Sequence, residues 1–103
     1  MNETLELPLL AGLDEDFPEV LFVLHHPSTG RYGCFCHEGV HGLACFTTEQ
    51  SAFRFAEWID LSGMMTEEVS FDEAREVAKS RPLPVVSLML LDSLSDPRIH
   101  YVR

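Results

Sequence analysis

The chain has 103 residues, 46% of them apolar, and seventeen Asp and Glu against seven Lys and Arg, which gives a formal net charge of -10. That length accommodates one hydrophobic core, and that composition is one that packs rather than staying disordered. The charge weighs against nucleic acid and anionic membranes, because phosphate neutralisation needs clustered Lys and Arg and here the basic residues are scattered singly. A membrane span needs roughly 20 apolar residues, and the longest apolar run, 83–91, is broken by Pro84 and Ser87.

Residues 1–18 read as an acidic arm. They carry Leu5, Leu7, Leu9 and Leu10, then Gly12, then Asp14, Glu15 and Asp16, with no Lys or Arg before Arg31. A secretory leader opens on basic residues, so the expected location is the cytoplasm. Leu5, Glu6 and Leu7 alternate as an edge strand would. Docking of the arm on a neighbouring chain's sheet would give a homodimer with Leu5, Leu7 and Leu9 at its contact.

The remaining residues, 19–103, read as one α+β domain. Residues 20–24 are a β-branched and aromatic run that ends at His25, His26 and Pro27, followed by the turn residues Ser28, Thr29 and Gly30. Residues 31–37 alternate, Glu38 and Gly39 suit a two-residue turn, and 40–46 forms the return strand, which completes a three-stranded meander. A helix is expected over 48–61, opened by Thr47 with Gln50 three residues on, with Ala52, Phe55, Ala56 and Ile59 as its apolar stripe flanked by Phe53 and Trp58. Residues 64–69 suit a short strand. Ser70 and Glu73 form a capping box for a second helix over 71–80, which Pro82 stops, with Phe71, Ala74, Val77 and Ala78 inward. The nearly continuous apolar run 85–91 suits a strand covered on both faces, and 99–102 a last strand. The order is a three-stranded meander, then α-β-α-β-β: a mixed sheet with two helices packed on it in two or three layers.

Residues 20–25, the stretch Leu43, Ala44, Cys45, Phe46, Thr47, Thr48, Glu49, Gln50, Ser51 and Ala52, and then Phe55 and Ala56 resemble the strand, F-T-x-E cap and A-x-x-F-A helix of the SseB N-terminal-like group and related small bacterial domains of unknown function. The resemblance spans about residues 20–91 and implies this fold. It implies no catalytic residues, and the chain departs from the pattern in its Cys and His content and in lacking a Pro before the strand's closing Phe.

One constellation has ligand chemistry. Cys34, Cys36, His37, His41 and Cys45 lie within twelve residues, with His25 and His26 upstream. A two-residue turn at 38–39 would pair His37 with Val40, Cys36 with His41, Cys34 with Leu43 and Tyr32 with Cys45. Cys34, Cys36, His41 and Cys45 would then share one face, within reach of a zinc ion. Against this, a C-x-C spacing along a strand spreads two thiolates apart, and free Cys is a common core residue. The three Cys are expected reduced. No nucleophile, oxyanion-hole or phosphate-loop pattern accompanies them. The reading the sequence favours is a non-catalytic, acidic interaction domain, an adaptor or regulatory module for a partner with a basic surface. The alternative is a metal-binding or thiol-based protein that uses the hairpin 34–45.

Overall fold

We describe the protein from a computed structural model, which describes residues 17–59 and 62–103. The strands are β1 (Val20–His26), β2 (Arg31–Tyr32), β3 (Cys34–His37), β4 (Val40–Phe46), β5 (Met65–Ser70), β6 (Val85–Leu90) and β7 (Arg98–Tyr101). Helix α1 (Glu49–Trp58) follows β4, and α2 (Phe71–Ser80) follows β5. Among the described residues the strands form a single mixed sheet, in which β5 pairs with β1, β1 with β4, β4 with β6 and β6 with β7. This is the expected α+β domain. The leucines and acidic run of the arm lie outside the described residues, but Phe17 does not. Its side chain is buried, with its ring against Phe71 and His100, so the core begins two residues before position 19.

The period-2 alternation of the strands distributes their side chains between two cores. On β1, Leu21 and Val23 face one way and Phe22 and Leu24 the other; on β4, Leu43 and Cys45 oppose Ala44 and Phe46. Helix α2 covers the first face with Phe71, Ala74 and Ala78, and α1 covers the second with Ala52 and Phe55. Three layers result. The sheet is buried on both sides at its centre, which is why β6 is apolar at nearly every position. Each fully buried large side chain contributes roughly 1.5–3 kcal/mol of transfer free energy.

The middle strand of the meander is divided. β2 pairs with β1, His25 opposite Tyr32, whereas β3 pairs with β4. The change of partner falls at Gly33, whose N–H donates to the Leu24 carbonyl and whose carbonyl accepts from Ala44 N–H, both at 2.9 Å. Tyr32 therefore lies opposite His25, not Cys45, because Cys45 returns to pair with Val23. The β3–β4 hairpin has the register expected, His37 opposite Val40, Cys36 opposite His41 and Cys34 opposite Leu43. Its turn places Glu38 at φ 51° and Gly39 at φ 85°, the left-handed pair that a two-residue hairpin requires.

Helix α1 opens one residue later than expected. Thr48 is the cap, its hydroxyl accepting from Ser51 N–H at 3.0 Å. Thr47 is engaged elsewhere: its N–H and hydroxyl both donate to the Asp92 carboxylate, at 2.8 and 2.6 Å. The helix ends at Trp58, with Ile59 as its C-cap, short of position 61. Helix α2 matches its expected bounds. Its capping box is complete, with Glu73 N–H donating to the Ser70 hydroxyl at 3.0 Å and Ser70 N–H to the Glu73 carboxylate at 2.7 Å. Its last turn is held from outside by the Arg103 guanidinium, which donates to the carbonyls of Ala78, Lys79 and Arg81.

Candidate functional site

The sequence directs attention first to the Cys and His hairpin. Strand alternation carries Cys34, Cys36, His41 and Cys45 to the α2 face of the sheet, but they occupy different environments. Cys45 is fully buried within the core, its thiol donating to the Leu43 carbonyl at 3.4 Å. Burial pushes that thiol up to about 12; a hydrogen bond with the Met89 backbone opposes the rise and the neighbouring Cys34 adds to it. Cys34 is half-buried beside it, and its thiol is also raised by burial, with the Arg81 guanidinium pulling the other way. Cys36 is exposed and His41 half-buried. Among the described residues no group of three or more His, Cys, Asp or Glu side chains is arranged to hold a metal ion. Upward-shifted thiols are also poor nucleophiles at neutral pH, since the thiolate is the reactive form. The geometry makes Cys34 and Cys45 packing residues and leaves Cys36 at the surface.

The two upstream histidines are held by local contacts. The His25 ring lies 5.0 Å from the Tyr32 ring across the β1–β2 pair. His26 Nδ1 and the Ser28 hydroxyl stand 3.0 Å apart in the turn that follows.

A more capable surface lies beside α2. Where the helix leaves part of the sheet uncovered, a groove of about 410 Å³ opens between β2, β5 and α2. Tyr32, Val69 and Val77 supply its apolar lining, and Glu67, Asp72, Glu73 and Glu76 its carboxylates. The sequence places them there for simple reasons. Val69 is an inward residue of β5, Val77 is an inward residue of α2 two turns after the cap, and the acidic residues suit the exposed positions of an edge strand and the positive end of a helix. Two of the carboxylates already have partners: Glu73 closes the capping box, and Glu76 stands 3.6 Å from the Lys79 ammonium. Glu67 and Asp72 have no basic partner among the described residues. At the Tyr32 end, the Arg81 guanidinium lies over the phenol ring, 5.2 Å from its centroid. The Tyr32 ring is thus already engaged by a guanidinium of this chain.

The acids of this rim form no contiguous motif in the sequence, unlike the run Asp14, Glu15 and Asp16. The available signal was the density of acids over 67–76 on two adjoining elements; what brings Tyr32 to them is the pairing of both β2 and β5 with β1. Among the described residues no helix is long and apolar enough to cross a membrane. Comparison with family models, with curated proteins and with solved structures gave no match to this chain.

Proposed function

We propose that the domain is a non-catalytic interaction module, an adaptor or regulatory unit, that holds a short basic segment of a partner protein in the groove between β5 and α2. The observation that carries the reading is the pairing of an apolar lining, Tyr32, Val69 and Val77, with a carboxylate rim. A segment alternating Arg or Lys with apolar residues complements both, and the net charge of -10 would speed its encounter. Among the described residues β5 pairs with no strand besides β1, and its other edge would add backbone donors and acceptors along one side of the groove, which suits an extended partner. On the same footing we propose kinship with the SseB N-terminal-like group over about residues 20–91, and a cytoplasmic location with reduced thiols.

The test is fluorescence anisotropy with a labelled peptide alternating Arg and Leu. Saturable binding should weaken by roughly tenfold when salt is raised from 50 to about 500 mM, as screening removes the charge complementarity. It should weaken by a similar factor in the Glu67→Gln, Asp72→Asn double variant. Binding that ignores both changes, or no binding at all, would remove the groove from consideration. The competing metal or thiol reading draws less support from a hairpin in which Cys45 is enclosed and Cys36 exposed. Native mass spectrometry of tag-free protein that showed one zinc per chain would restore it.

A further inference from the structure

The opposite face of the sheet carries a second concavity with different chemistry. One wall is a single stripe of α1, namely Ser51, Arg54, Phe55 and Trp58, spaced three and four residues apart so that all look the same way. The segment after β6 forms the other wall with Leu91, Asp92 and Leu94, and the cleft between them has a volume of about 320 Å³.

Three observations give this cleft a meaning. The first is its place in the fold. β4 and β6 are a parallel pair, and the ladder runs on past β6, where Leu91 N–H donates to the Cys45 carbonyl at 2.9 Å. The chain leaves the carboxyl end of β4 into α1 and that of β6 into the segment 91–94, so the cleft stands just outside the carboxyl ends of this parallel pair, between the two connections.

The second observation is charge. In a strongly acidic chain, this cleft presents the Arg54 guanidinium, whose Nη2 lies 3.4 Å from the Ser51 hydroxyl and which has no carboxylate partner among the described residues. The third is the apolar surface beside it. Trp58 is 63% exposed, although its ring stands 6.1 Å from Phe55 and 6.4 Å from Phe35. Exposed Trp beside a cation is costly as bare surface and useful as a platform.

We infer that this cleft binds a small monoanionic carboxylate with an aromatic or branched apolar body, its carboxylate on Arg54 and Ser51 and its body against Trp58, Phe55 and Leu94. A volume of about 320 Å³ is at the small end of ligand sites. Asp92 sets the limit on charge. Its carboxylate is fixed on the facing wall by Thr47, so a dianion such as a phosphate monoester meets repulsion that a carboxylate with one charge meets less.

Trp58 is the chain's one tryptophan, so its fluorescence reports this cleft alone. The probes are 3-phenylpropionate, its neutral amide and phenyl phosphate. A saturable change with 3-phenylpropionate is expected, weaker by about tenfold or more with the amide and in Arg54→Gln, as loss of one charge-assisted hydrogen bond implies. Arg54→Lys should keep part of the affinity, and phenyl phosphate should bind less well than the carboxylate. Arg54 is exposed, so Arg54→Gln should melt as the parent does. Chemical shifts of the amides at 51–58 and 91–94 provide a second readout. Equal response to acid and amide, or unchanged binding in Arg54→Gln, would overturn the assignment, as would no saturable change in both readouts. Glu67→Gln lies on the other face and should leave this binding intact, so the cleft and the acidic groove stand or fall separately.

Discussion

The two faces of the sheet are built from the same strands and have become different materials. Under α1 the core is aromatic: Phe55 touches Phe35 at 5.5 Å and Phe46 at 5.3 Å between ring centroids, and Trp58 extends the cluster to the surface. Under α2 the interior is aliphatic and thiol, with Leu21, Val23, Leu43, Cys45, Leu88 and Leu90, and its rings, Phe17, Phe71 and His100, gather toward one end. The surfaces follow the interiors. The aromatic face opens into a cleft with an arginine, and the aliphatic face into a groove rimmed by carboxylates. Because strand residues alternate, a single strand such as β4 supplies both materials, and the difference between the faces is carried by parity along the chain.

The strongest test of that contrast is to empty one position on each face. Phe46→Ala removes a fully buried ring in the aromatic cluster and should cost about 3–5 kcal/mol by urea unfolding, against about 2–5 kcal/mol for Leu43→Ala on the other side. Small domains hold roughly 5–15 kcal/mol in total, so either variant leaves a marginal fold. A larger loss at Leu43 would mean that the aliphatic face is the main source of stability. Just before Leu43, Gly42 shows how tight the α1 face is: a Cβ there would lie 2.6 Å from the Ser87 hydroxyl and 3.0 Å from Met89 Cβ. Gly42→Ala should accordingly destabilise by about 1–3 kcal/mol, partly recovered with Ser87→Ala.

Much of this contrast is legible before any fold is drawn, and the illegible part has a common cause. Local chemistry announced the hairpin at 38–39, the capping box at Ser70 and Glu73, the inward stripes of both helices and the buried strand at 85–91, which the fold ends at Leu90. Each of these is decided by residues within one or two turns of one another. The features that depend on distant partners were not announced. Thr47 and Thr48 are equally good caps in isolation, and it is Asp92, far along the chain, that takes Thr47 and leaves Thr48 to the helix. Tyr32 alternates as though it would face Cys45, until Gly33 transfers the strand from one partner to another. Phe17 sits among arm residues and belongs to the core. Both concavities draw their walls from segments remote in sequence, so no spacing rule reveals them.

The thiols sharpen the comparison at the next level. Cys45 has its ordinary value of 9.0 when unfolded and about 12 when folded. Below 9.0 both states hold the proton and nothing changes. Between 9.0 and about 12 the unfolded chain gives it up while the folded one keeps it, so folding loses stability as pH rises through that window and levels off above it. Urea midpoints measured from neutral pH to about pH 10.5 should fall more steeply for the parent than for Cys45→Ala, which lacks the group. A disulfide-forming thiol reagent at neutral pH should modify Cys36 first, Cys34 more slowly, and Cys45 only on unfolding. Early reaction at Cys45 would show that the α2 face is not closed as described.

The smallest effects concern the two helix starts, and here the two faces should differ in degree. Thr48→Ala removes a hydroxyl that both accepts from Ser51 N–H and donates to the Ser51 hydroxyl, whereas Ser70→Ala removes one bond of the capping box and leaves Ser70 N–H on the Glu73 carboxylate, so costs toward the upper and lower parts of the range of about 0.5–2 kcal/mol are expected. Thr47→Ala provides the control. It removes the hydroxyl bond to Asp92, leaving the bond from the backbone N–H at position 47, without touching the α1 cap, so amide exchange in the first turn of α1 should stay slow in Thr47→Ala and quicken in Thr48→Ala. Equal fraying in both variants would mean that the adjacent threonines share the cap and that Asp92 supports the helix through them. In that case the wall of the aromatic cleft and the start of α1 would be one cooperative unit, and a ligand held by Arg54 would protect the first turn as well.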